Sequence, residues 1–209
     1  MINNNNEYEL AWHFLASGDN GQPVLRDGRP LVVGQWYEHE DPLVMCKSGY
    51  HASVLALDAL GYAPGAFVSL CEVDGTIEYG TDKLVATRRR ALWCYDATEV
   101  LRLFARQCAL DVADLWEMPD IVRQYLETGD ESIRDAARDA AGVANAAARA
   151  ANYAARDTAR DTARYAAGYA AWAAAGCATW AAARCAARDT ARDSQNATLE
   201  SMLLATKLY

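Results

Sequence analysis

The residues best equipped for chemistry sit in one short run, Met45-Cys-Lys-Ser-Gly-Tyr-His51. A thiol at Cys46 and an imidazole at His51 could form a nucleophile with its base. Joined by Cys71, Cys94 or His13, they could instead form a metal site. The spacing argues against both. Structural zinc uses closely paired ligands, and the six cysteines (Cys46, Cys71, Cys94, Cys108, Cys177, Cys185) include no CxxC. On the plainer reading Gly49 makes a turn, His51 hydrogen-bonds the backbone, and the cysteines are reduced packing residues. No metal and no cofactor is expected.

A second chemical cluster is basic. Arg88-Arg89-Arg90 lies in a strand-like segment, so Arg88 and Arg90 project from one face and Arg89 from the other. Arg88 and Arg90, helped by Lys83, could hold a phosphate or nucleotide, in competition with pairing to the many carboxylates of an acidic chain. The candidate ligand-binding set is therefore Cys46, Lys47, His51, Lys83, Arg88 and Arg90. No catalytic set emerges: the sequence contains no Gly-rich phosphate loop, no HExxH and no GxSxG. A nucleotide-handling enzyme would have to be assembled from His13 or His51 with Glu78 and Arg88.

The elements that must position these residues read as α+β. Leu10–Ser17, Leu31–Val33 and Gln35–Tyr37 are strand-like and are separated by turn chemistry at Gly18–Gly21 and Asp27–Gly28. Ser53–Leu60 has helical spacing. Ala66–Val73 is a buried-strand candidate ending at Asp74-Gly75, and Lys83–Tyr95 supplies another strand, giving an antiparallel sheet. Asp96-Ala-Thr-Glu99 has the form of a capping box and predicts a helix from Ala97 to Trp116. Pro119 opens a second helix that stops at Thr128-Gly129, and Asp130 or Ser132 caps a third. The expected organisation is a small α/β domain over 1–96, two connecting helices over 97–131, and a long Ala-rich helix with a hydrophobic end over 132–209.

That last region is unusual. From Ser132 to Asp193, 28 of 62 residues are alanine and none is proline. Four-residue units such as Ala-Arg-Asp-Thr slip about 40° per repeat on a helix, so a uniform repeat would wind its charges around the axis. Here the arginine column Arg156, Arg160, Arg164 gives way to Gly168, Trp172, Gly176 and Trp180, and returns at Arg184. Charge thus keeps to one sector, which predicts one continuous amphipathic helix about 90 Å long. Tyr165, Tyr169, Trp172 and Trp180 form its expected interface, onto a protein partner or a second copy of the chain. Leu199, Met202, Leu203, Leu204 and Leu208 look like a hydrophobic lock.

Composition bounds the rest. At 52% hydrophobic residues the chain is expected to fold. The opening Met-Ile-Asn-Asn-Asn-Asn-Glu lacks the pattern of a signal peptide, and no apolar run approaches membrane-spanning length, so a cytoplasmic protein without membrane contact is expected. Residues 1–131 hold 10 basic against 21 acidic side chains, whereas 132–193 hold 9 against 6. An acidic body argues against general binding to nucleic-acid backbone, which needs many unpaired Lys and Arg.

The Cys46 to His51 run, preceded by Gly34-Gln-Trp-Tyr37 and followed by Glu78-Tyr-Gly-Thr-Asp-Lys83, resembles an uncharacterised domain family of phage and bacterial proteins. That family is built around a Cys-Lys-x-Gly-Phe/Leu-His motif and a later Asp-Lys; Tyr50 stands here at the Phe/Leu position. Thr128–Arg134, the Ala/Arg/Asp/Trp tail, Gln195-Asn196 and Leu199-Glu200 are similar to actinobacterial and actinophage members, whose tails are sometimes labelled as immunity proteins. The resemblance implies a bacterial cytoplasm and a phage or mobile-element source, and it carries no activity. It makes the leading expectation a non-enzymatic binding protein of defence, counter-defence or immunity, sequestering a protein partner or a small anionic, nucleotide-like ligand. The alternatives are a nucleotide-handling enzyme using His51 and Arg88, and an architectural oligomer assembled through the long helix.

Overall fold

A computed structural model of the chain describes residues 8–111, 113, 118–144 and 190–207. It divides into two units, Met1–Arg102 with Gln195–Tyr209, and Leu103–Ser194. The first is α+β. Its sheet is antiparallel throughout and runs in the order β2 (Pro23–Val24), β1 (Glu9–Ser17), β5 (Phe67–Tyr79), β6 (Leu84–Asp96), β3 (Trp36–Glu38), with β4 (Tyr50–Ala52) also on β6. The β5–β6 hairpin is the spine, pairing from Phe67↔Asp96 to Tyr79↔Leu84.

Several expected boundaries move, each for a local reason. Asp74-Gly75 does not end a strand. Gly75 takes φ 78°, the pairing register shifts between Asp74 and Ile77, and the Thr76 N–H donates to Thr87 Oγ1 at 3.1 Å. A positive-φ glycine serves a bulge as readily as a turn. The reversal comes instead where the Gly80 N–H donates to the Lys83 carbonyl at 2.7 Å. Leu31–Val33 is not a strand, because the Val32 N–H is taken by the Tyr37 hydroxyl at 2.8 Å. Of the helix expected over 53–60, only α1 (Ala56–Leu60) forms.

Ser53 is drawn into the sheet instead. Its N–H and carbonyl exchange hydrogen bonds of 3.0 and 2.7 Å with Trp12 of β1. Since β4 immediately precedes Ser53 and pairs with β6, the path β1–β5–β6–β4 returns to β1, and the sheet curls nearly to closure. Curling gives it an inside. Two apolar clusters fill that inside: Leu15, Leu25 and Tyr37 with Tyr50, Phe67 and Cys94, and Ala11, Ala52, Val73, Leu84 and Ala86 with Ile77.

The other face carries Trp12 and Trp93 in edge contact at 5.9 Å, with Trp93 stacked on Tyr95 at 5.6 Å. Here the C-terminal helix (190–207) packs on the sheet through its part from Gln195 onward, which belongs to the first unit. Leu199 and Leu203 are fully buried, the Tyr95 hydroxyl donates to the Leu203 carbonyl at 2.7 Å, and Lys207 lies over the Trp93 ring. The segment from Gln195 onward therefore groups with the sheet.

α2 is Thr98–Leu110, with Leu103 the first residue of the second unit; the expected helix end at Trp116 lies outside the described residues. Asp96 Oδ1 accepts from both the backbone and the hydroxyl of Thr98, at 2.9 and 2.6 Å. α3 (Asp120–Thr128) ends at Gly129 in the left-handed conformation, and Asp130 accepts from the Ser132 N–H at 2.9 Å to start a 3-10 turn over Glu131–Ile133. Residues 134–144 continue as helix. The rest of the expected long helix, including its interface Tyr165, Tyr169, Trp172 and Trp180, lies outside the described residues. Among the described residues no helix is long and apolar enough to cross a membrane.

Candidate functional site

Strand register decides which side chains share the inside of the curl. On β1 and β5, Ala11 pairs with Cys71, His13 with Ser69 and Leu15 with Phe67; on β6, Arg89 pairs with Val73 of β5 and with Tyr37 of β3. His13, Cys71 and Arg89 thus fall on the inward face, between residues of the two apolar clusters. Arg89 is only 7% exposed. One Nη1 hydrogen bond goes to the His51 backbone carbonyl, and the guanidinium stands 5.4 Å from the Tyr50 ring centre. Among the described residues no carboxylate lies within 4.0 Å of it.

Its neighbours supply no compensating negative charge. Burial first, and then the nearby Arg89 and His51, hold His13 well below the ordinary imidazole range, although its side chain keeps partial exposure. Burial likewise raises the Cys71 thiol and pushes Cys94 up to about 12. Ser69 Oγ donates to the His13 carbonyl at 3.1 Å and lies 3.3 Å from Cys71 Sγ. A protonated thiol is a poor nucleophile, so this interior holds a buried cation and no thiolate.

His51 is used differently. Its Nε2 accepts the Cys46 N–H at 2.8 Å and its Nδ1 faces the Gly49 carbonyl at 3.2 Å, which the neutral Nδ1–H tautomer satisfies on both sides. Burial lowers the His51 pKa against the raising effect of Gly49. The ring closes a tight loop in which Cys46 takes φ 66° and the Ser48 and Lys47 N–H groups both reach the Val44 carbonyl. Cys46 and Lys47 are exposed at its tip. Lys83 sits 3.9 Å over the Tyr62 ring, and the Tyr62 hydroxyl donates to Asp82 at 2.6 Å; Tyr62 and then Cys46 raise the Lys83 pKa.

Arg88 and Arg90 do share a face, opposite Arg89. There Arg88 pairs with Glu38 at 3.1 Å and Asp74 at 2.9 Å, Arg90 pairs with Glu72, and both guanidinium groups lie 4.6 Å from the Trp36 ring centre. Their charge is already matched. Among the described residues no group of three or more His, Cys, Asp or Glu could hold a metal ion.

No family model, no curated protein and no solved structure matches this chain. The functional reading therefore rests on the geometry. The structure brings together Arg89, His13, His51 and Cys71, and engages Arg88 and Arg90 elsewhere. Arg89 is not among the candidate residues that the sequence suggests. The signal for it is in the strand alternation: within three consecutive arginines the middle one must point away from the other two, onto the face of Val85, Thr87 and Ala91, of which two are apolar.

Proposed function

We propose that this protein is a non-enzymatic binding protein whose curled sheet takes a small anionic, nucleotide-like ligand at Arg89. One observation carries the reading: a buried guanidinium with no carboxylate within ion-pair distance among the described residues. Burying an unpaired charge costs several kcal/mol in desolvation (on the order of 5), and an apolar residue of similar length would avoid that cost. A retained cation of this kind is supported by a ligand anion that completes the pair. The protonated thiols beside it are poor nucleophiles, which favours holding a ligand over thiol chemistry on it.

The phage and mobile-element resemblance suggests defence, counter-defence or immunity as the setting, with the tyrosines and tryptophans of the Ala-rich segment as a surface for a protein partner. The test of the binding reading is direct. Full-length protein purified under native conditions is denatured, its released small molecules are profiled, and a panel of mononucleotides is titrated into it beside Arg89→Met. Retention or binding by the parent and its loss in Arg89→Met is expected. Equal binding by both proteins, or none by either, overturns the reading. A nucleotide-handling enzyme would instead show turnover that His51→Ala and Arg88→Ala each abolish.

A further inference from the structure

We propose that Ser48 is an acyl-acceptor site, its hydroxyl made nucleophilic by His39. Nothing in this site depends on a ligand at Arg89. His39 Nε2 and Ser48 Oγ stand 2.7 Å apart, the separation of a nucleophile and its base. The Nδ1–H tautomer of His39 leaves Nε2 to accept the Ser48 hydroxyl hydrogen, which has no other acceptor bonded to it among the described residues.

Both partners are held in place. The His39 N–H donates to the Thr87 carbonyl at 2.9 Å, and its ring stands edge-on to Tyr50 with 6.4 Å between centres. Ser48 is fixed by its turn: the Val44 N–H donates to the Ser48 carbonyl at 3.1 Å, and the Ser48 N–H donates to the Val44 carbonyl at 2.9 Å. Behind it Gly49 lies at φ 104° with no room for a Cβ. Fixing two groups in reacting geometry beforehand takes that entropy out of the barrier. The site is also reachable, since Ser48 keeps partial exposure and Val44, Cys46 and Lys47 beside it are exposed. Val44 pairs with Ser48 across the turn and is 44% exposed, an apolar surface for the chain of an acyl group.

The step is one acyl transfer. Ser48 Oγ bonds to the carbonyl carbon of an ester or thioester, the hydroxyl proton passes to His39 Nε2, and the leaving group departs with its bonding pair and takes that proton. What the loop withholds sets the class of donor. The Cys46 N–H is spent on His51, and the Lys47 and Ser48 N–H groups are spent on Val44, so none of the three can steady an oxyanion. Lack of one such donor costs about 10²–10³ in rate. Among the described residues no carboxylate pairs with His39 within 4.0 Å to orient its ring. The pair therefore takes an acyl group from donors with a good leaving group, once, and does not turn them over.

The experiment treats full-length protein with an alkyl fluorophosphonate and, separately, with p-nitrophenyl butyrate, and locates the adducts by peptide mass spectrometry. Ser48 is expected to be modified at least about tenfold faster than the exposed Ser17 and Ser132 of the same chain, an advantage lost in His39→Gln. One equivalent of nitrophenol that is missing from Ser48→Ala is expected from the ester. The comparison with Ser17 and Ser132 needs no variant, so it holds even where His39→Gln is unstable. Modification of Ser48 no faster than theirs, or at full rate in a folded His39→Gln, overturns the proposal. Nitrophenol release that continues past one equivalent and vanishes in Ser48→Ala overturns the acceptor reading in favour of turnover.

Discussion

The side-chain carbonyl of Asn196 accepts the backbone N–H of Leu57 at 3.0 Å, joining positions 139 residues apart. Glu200 does the same for the neighbouring Ala56 N–H at 3.2 Å, so the C-terminal helix supplies the caps that α1 lacks locally. Asn196 is itself buried, which makes the bond expensive to lose. Asn196→Ala is expected to destabilise the first unit by about 1–2 kcal/mol. Leu203→Ala, emptying a fully buried position, is expected to cost about 2–5 kcal/mol. Urea unfolding followed by tryptophan fluorescence checks both, and removal of residues 195–209 should abolish the cooperative transition.

Gly49 is the next position where local geometry leaves no latitude. It holds φ 104°, and a Cβ there would stand 2.6 Å from both Leu43 Cδ2 and Val85 Cγ2. Gly49→Ala therefore combines backbone strain with overpacking and should cost about 2–4 kcal/mol. Because the same residue supplies the carbonyl facing His51 Nδ1, the Cys46 to His51 loop should loosen first. Hydrogen exchange at the Cys46 amide, now bonded to the His51 ring, would report that loosening ahead of global unfolding. Slow Cys46 exchange in a destabilised Gly49→Ala would contradict it.

What the sequence displays and what it conceals differ by the range of the interaction. Strand alternation through Arg88, Arg89 and Arg90 is local and legible, as are the cap at Asp96 and the left-handed stop at Gly129. The turn at Gly75 was misplaced because a glycine's permissive φ looks the same in a bulge and in a reversal. Closure of the sheet through Trp12 and Ser53 has no periodic signature, and neither does the return of Asn196 to α1. Arg88 and Arg90 drew attention as adjacent cations, yet their carboxylates come from β3 and β5, which only tertiary register brings alongside.

Thiol reactivity should follow burial and charge. Cys46 is exposed, Cys71 is buried, and Cys94 has its pKa pushed up to about 12. At pH 8 that leaves Cys94 roughly one part in ten thousand thiolate, too little for prompt alkylation. Brief treatment of the native protein with iodoacetamide, followed by peptide mass spectrometry, should label Cys46 and spare Cys71 and Cys94. All three should label in denaturant. Rapid native labelling of Cys71 would mean that the inside of the sheet opens far more than the burial of Cys71 implies.

Stability should also depend on pH through His13 and His51. His13 and His51 both have pKa values lowered from the ordinary 6.5 by burial, so below that pH the unfolded chain binds protons that the folded protein refuses. Their contribution is complete above 6.5 and is lost as pH falls from there towards the folded values, by at most about 1.4 kcal/mol per pH unit for each group. Asp96 and Asp130, lowered chiefly by the Thr98 and Ser132 side chains, begin to matter only near and below 3.8, outside this window. Urea midpoints measured from pH 8 to pH 5 should therefore be flat and then fall, with the fall reduced in His13→Gln. The readout is the slope, which stays interpretable if the variant is weaker at every pH. A stability that rises on acidification, or a slope indifferent to His13, would place that imidazole in water and not beside Arg89.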